Sequence, residues 1–86
     1  MHPRNEDMSS QVFTDRARHW SKWLEASERR RHGRSQVDAR LRLATRAGTT
    51  PGTLENLRKG RLKDVGTALY ERLRRLMIDE LRAEAA

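Results

Sequence analysis

The side chains best equipped for chemistry lie together: Thr50, Thr53, Glu55, Asn56, Arg58, Lys59, Arg61 and Lys63. They offer hydroxyl, carboxylate, amide and cationic groups, a set suited to hydrogen bonding and charge recognition. Nothing in the chain pairs a nucleophile with a base, sets two acids at general acid–base spacing, or builds a glycine-rich phosphate loop. The chain has no cysteine, which rules out disulfides and thiolate metal sites. His2, His19 and His32 stand apart without metal-like spacing and read as structural or solvent-facing. The expectation is a non-enzyme that uses no cofactor and no metal.

The partner class follows from charge. The 86 residues carry a net charge of +7, but not evenly. Residues 1–28 hold four Lys/Arg against five Asp/Glu, residues 29–63 hold eleven against two, and residues 64–86 hold four against five. The middle third is therefore +9 and each flank −1. A concentrated block of this kind favours a polyanion. Sixteen of the nineteen basic residues are arginine, whose planar fork can bond two acceptors at once. Genomic GC richness also raises arginine content, so the weight rests on the clustering.

The elements that must position these residues read as helices throughout. At 35% hydrophobic and 36% charged residues, one small core is the limit. Residues 1–9 are polar, contain Pro3 and read as a disordered tail; residues 10–86 read as one helical domain. Phe13, Ala17, Trp20 and Leu24, with Val12 and Trp23 beside them, form an apolar stripe from about Ser10 to Gly33. Core packing of the two tryptophans outweighs base stacking, because they share that stripe. Arg29–Arg34 ends the segment, either as a solvated linker or as an arm along phosphates or in a minor groove. Ser35 then caps a second helix with Val37, Leu41 and Ala44 on one face, stopped by Gly48. Thr50-Pro51 opens a third, short helix that Gly60 closes. A fourth starts near Lys63, with Val65, Leu69, Leu73 and Leu76 facing its own core and Tyr70, Met77 and Leu81 along the edge. No run is long and apolar enough to span a membrane, and no signal-peptide core is present. The fold class expected is all-α with about four helices, in a soluble cytoplasmic protein.

Placing Leu54 and Leu57 inward leaves Gly52, Glu55, Asn56 and Lys59 within about 50° of the outward direction at ~100° per residue. Residues 37–62 also carry a spacing of Ala44, Gly48, Leu54 and Leu57 with Leu43 beside it. This resembles the helix-turn-helix of small bacterial and phage DNA-binding proteins of the lambda repressor and Cro type. In that pattern a small residue lets the second helix cross closely, a glycine makes the turn and two apolar residues hold the second helix down. The resemblance implies a transcriptional regulator, nucleoid-associated, whose second helix enters the major groove of double-stranded DNA. It implies base contacts from Gly52, by close approach, and from Glu55, Asn56 and Lys59, to cytosine, adenine and guanine respectively. Glu55 also reads as a solvated acid that only lowers unspecific affinity. Phosphate contacts are implied for Arg40, Arg42, Arg46, Thr50, Thr53, Arg58, Arg61 and Lys63. The wide apolar sector of the last helix admits either the Trp helix or a second copy. Two-fold binding to paired half-sites favours a homodimer through Tyr70, Met77 and Leu81. Two rivals remain: a protein-interaction module using that apolar edge, with a protein partner, and a sequence-blind nucleic-acid binder driven by charge.

Overall fold

The structure, a computed structural model, describes residues 2–33 and 35–85, with side chains from Gln11 onward. The chain forms four helices: α1 (His2–His32), α2 (Gln36–Ala47), α3 (Pro51–Arg58) and α4 (Thr67–Ala85). Among the described residues there is no strand, so the class is all-α. Helix α1 starts at His2 and runs through the segment expected to be a tail. Pro3 then sits in the first turn, where the missing N–H has no intrahelical acceptor in any case.

One core joins all four helices. Leu43 and Ala44 of α2, Leu54 and Leu57 of α3, Leu73 of α4, and Ala17 and Leu24 of α1 are all fully enclosed. Helix α1 packs against each of the other three. Its inner face is not the stripe expected from its large apolar residues. The residues turned inward are Thr14, Ala17, Ser21, Leu24, Glu25, Ser27 and Glu28, while Val12 and Phe13 are exposed and Trp20 and Trp23 flank the core. Small side chains at the centre of α1 leave room for the leucines of its partners, as close packing of three helices on one requires. Helix α2 departs from expectation for the same reason. It buries Ala39, Leu43, Ala44 and Ala47 and leaves Val37, at 75% exposure, and Leu41 outside.

The ends of the short helices are set locally. Ser35 Oγ accepts from Asp38 N at 3.2 Å, and Thr50 Oγ1 accepts from Thr53 N at 3.2 Å with Pro51 in the first turn. Gly48 ends α2 at φ 70°, and Thr49 N returns to the Ala44 carbonyl at 2.9 Å. The fourth helix begins at Thr67, later than expected, because Gly66 turns at φ 78° and its N–H is held by Asp64 Oδ1 at 3.0 Å. Val65 is buried in this connection and donates its N–H to Thr14 Oγ1 at 3.3 Å.

Replacing Gly48 by alanine puts a Cβ in the left-handed region and against the Arg72 guanidinium. The side chain can move but the backbone cannot. The expected loss is about 1–2 kcal/mol, read as a lower urea midpoint at unchanged slope.

Candidate nucleic-acid interface

Helix α3 is held from behind and left open in front. Leu54 and Leu57 are fully enclosed, while Gly52 and Asn56 are exposed and Lys59 is half-exposed. These are three of the four positions expected to face outward; the fourth, Glu55, is half-buried and paired with Arg40 and Lys59. The rear attachment is completed by Arg18 of α1, whose Nε donates to the Leu57 carbonyl at 2.9 Å while its Nη1 lies 3.3 Å from Asp15. A cation at the last carbonyls of a helix is favoured by the helix dipole. Sequence patterns gave no sign of this role for Arg18, because it depends on how α1 crosses α3.

A polar network joins α1, α2 and α3 beside the core. Glu25 of α1 has only 5% of its side chain exposed. Its Oε1 lies 3.4 Å from Arg40 Nε and 3.8 Å from Arg58 Nη1. Arg40 also reaches Glu55 Oε1 at 3.3 Å, and Glu55 Oε2 accepts from Lys59 Nζ at 2.9 Å. With its oxygen turned to these cations, the Gln36 amide accepts from Arg40 Nη2 at 3.1 Å and from the Arg58 guanidinium. Glu28, also nearly enclosed, accepts from Arg46 Nη1 at 2.7 Å.

The network divides the residues expected to touch phosphate. Arg40 is 15% exposed and bound to two carboxylates, so its guanidinium is engaged within the fold. Arg58 and Arg46 are more open but each is tied to an acid of α1. Arg42 and Lys63 are exposed and form neither an ion pair nor a hydrogen bond among the described residues, and Arg61 is exposed without an ion pair. The Thr50 hydroxyl lies 3.0 Å from that of Thr53 while it caps the helix.

Arg30 and Arg31 are turned toward α4. Arg31 Nε is 2.9 Å from Glu80 Oε2, which also accepts from Ser27 Oγ at 2.7 Å, and Arg30 lies 3.9 Å from Glu84. Helix pairing engages these two, where the sequence left a solvated linker and an arm both open; Arg34 lies outside the described residues.

Comparison with protein families, with curated proteins and with solved structures gives no match. The site is defined by the chain's own residues.

The edge of α4 expected to meet a second copy is largely covered by α1. Tyr70 packs edge-on to Phe13 and tilted against Trp20, with ring centres 5.1 Å apart in both cases, and its hydroxyl accepts from Arg16 at 3.2 Å. Met77 also packs against the core. Of the three residues, only Leu81 is exposed, at 52%. No described helix is long and apolar enough to cross a membrane.

Electrostatics at the open face centre on Glu55. The hydrogen bond from Lys59 and then its charge hold the Glu55 carboxyl below its ordinary value; desolvation opposes them, and the charges of Arg40 and Arg61 add lesser support. A lowered acid contributes stability above its unfolded value and loses it as pH falls through its folded value. The Glu55–Lys59 pair is thus closed at neutral pH and opens at a lower pH than an ordinary glutamate would need. In an NMR titration the Glu55 midpoint is expected below that of an ordinary glutamate, and Lys59→Met moves it upward.

Arg40→Ala removes the nearer cation from enclosed Glu25. Breaking a buried pair costs roughly 3–5 kcal/mol. The expected loss lies at or below the low end, because Arg58 remains 3.8 Å away. Adding Glu25→Gln to Arg40→Ala recovers part of it in urea melts; no recovery would show that Arg40 acts through packing alone.

Proposed function

We propose that the protein is a sequence-specific double-stranded DNA-binding regulator that presents α3 to the major groove. The observation that supports this reading best is the division of α3 into two faces. Leu54 and Leu57 fix the helix to the core, while Gly52, Asn56 and Lys59 stay open. The left-handed turn at Gly48 and the Thr50 cap support the reading drawn from the resemblance to lambda repressor and Cro. Asn56 offers the donor–acceptor pair that suits adenine, and Lys59 offers a donor to guanine. Arg61, Lys63 and Arg42 supply unpaired charge for phosphate contacts. Glu55 has a second task in this scheme. Paired with Lys59, it offsets one charge at the centre of the interface and lowers affinity for DNA in general. A correct site would compete with Glu55 for Lys59.

The proposal includes a two-fold dimer, which doubles a contact that one eight-residue helix makes alone. With Tyr70 and Met77 engaged inside the chain, its surface narrows to the part of α4 around Leu81. Localisation at the nucleoid in the cytoplasm follows from the DNA reading.

Selection from a random duplex pool at near-physiological salt tests the function and the dimer together. An enriched two-fold motif is the expected result. Asn56→Ala then lowers affinity for that motif by about 5- to 150-fold, the equivalent of ~1–3 kcal/mol, and leaves affinity for unselected DNA nearly unchanged. Glu55→Gln tightens binding to unselected DNA. A pool without enrichment, bound with equal affinity by wild type and Asn56→Ala, marks a charge-driven binder and ends the sequence-specific reading.

A further inference from the structure

Helix α4 belongs to a segment with a net charge of −1, and its sequence gives no reason to expect a cationic surface. The fold separates its charges. Glu80 is enclosed with Ser27 and Arg31, and Glu84 faces Arg30, so two of its acids are turned to α1. Arg72, Arg74 and Arg75 are exposed and form neither an ion pair nor a hydrogen bond among the described residues. Together with Arg46 of α2, itself tied to Glu28, they line one open groove of about 280 Å³ in which Glu71 is the only acid among the described residues. Asp79 is exposed one turn beyond Arg75.

The groove adjoins the turn before α3. The Arg72 guanidinium occupies the space that a Cβ at Gly48 would need, two residues ahead of the Thr50 cap. Arg72 and Arg75 are three residues apart and share a face of α4. Unpaired guanidinium groups gathered in one groove repel each other, and a polyanion relieves that repulsion. Guanidinium also fits phosphate oxygens with two parallel hydrogen bonds.

We infer that Arg72 and Arg75, with Arg46 beside them, form a second phosphate-binding surface that grips the backbone of the duplex whose major groove α3 enters. This rests on the DNA reading above and extends the contact from α3 to α4. These contacts carry no base information. They set the register of α3 on the duplex and add to the salt dependence of binding.

The test is fluorescence anisotropy with a short duplex of arbitrary sequence over a salt series. Each lost phosphate contact reduces the slope of log affinity against log salt by about 0.9, so Arg72→Gln/Arg75→Gln should reduce it by about 1.8. The ratio of wild-type to variant affinity then shrinks about twelvefold between about 50 and about 200 mM salt. Arg72→Lys/Arg75→Lys, which keeps the charges, should hold most of the slope. Lys22→Gln, which removes a charge from the exposed side of α1, should not change it. All variants should keep the wild-type circular dichroism, because the substituted positions are exposed.

The inference is overturned if the wild type binds with a steep slope and the double glutamine variant keeps that slope. An equal loss from Lys22→Gln also overturns it, since the effect is then one of total charge. So does polyglutamate binding that responds to the double variant when duplex binding does not, which marks the groove as a site for acidic peptides. A wild type that shows no salt-dependent duplex binding removes the DNA reading itself, which separates that failure from failure of the α4 surface alone.

Discussion

Two enclosed carboxylates, Glu25 and Glu28 on the inner side of α1, constrain the rest of the molecule. At 5% and 6% exposure neither can rely on water for its charge. A carboxylate so placed needs a cation within contact distance. Arg40 of α2 and Arg58 of α3 answer Glu25, and Arg46 of α2 answers Glu28. These pairs fix the rotation of α2 and α3 against α1. Once the acids claim these arginines, the outward faces of α2 and α3 are left to the remaining polar residues. The openness of Asn56 follows from an attachment made on the other side of its helix.

A pair of this kind adds little net stability compared with apolar residues of the same shape, because desolvation offsets much of the attraction. Its effect is on uniqueness. The central face of α1 is small and polar, with Ala17, Ser21 and Ser27 among its buried residues. Such a face would let a neighbouring helix slide or rotate at little cost. The charge pairs and the Ser27–Glu80 hydrogen bond at 2.7 Å penalise those movements. Leucines of α2, α3 and α4 supply the apolar volume, and α1 supplies register.

The parts of the fold legible in the sequence were those encoded by neighbours in the chain. The Ser35 and Thr50 caps, the Gly48 stop and the inward positions of Leu54 and Leu57 depend on local geometry and on period, so short patterns carry them. The inner faces of α1 and α2 were not legible. Periodicity weights large apolar residues, and it therefore favoured Phe13 over Thr14 and Leu41 over Ala39. The helices choose by fit: where three elements crowd onto one, small side chains go inside. The role of Arg40 was hidden for a related reason. Nothing near it in sequence reveals that Glu25, fifteen residues earlier, waits in an enclosed position. Of the candidate site, the open face of α3 could be read from its own turn, whereas the division of the arginines could not.

That division changes what the charge of the chain means. Residues 29–63 count +9 in sequence, yet Arg30, Arg31, Arg40, Arg46, Arg58 and Lys59 each face a carboxylate in the fold. The acids that neutralise them come from α1 and α4 as well as from α3. Each acid borrowed from a flank leaves the flank more basic than its own sequence suggests, and α4 shows this most clearly: with Glu80 enclosed and Glu84 drawn to Arg30, its exposed arginines form no ion pair among the described residues. A partner meets the unpaired charge at the surface and not the sum along the chain. By that measure the unpaired charge lies on the last helix as well as beside the short helix after Thr50, and the Arg72 guanidinium at Gly48 brings the α4 groove next to the turn before α3.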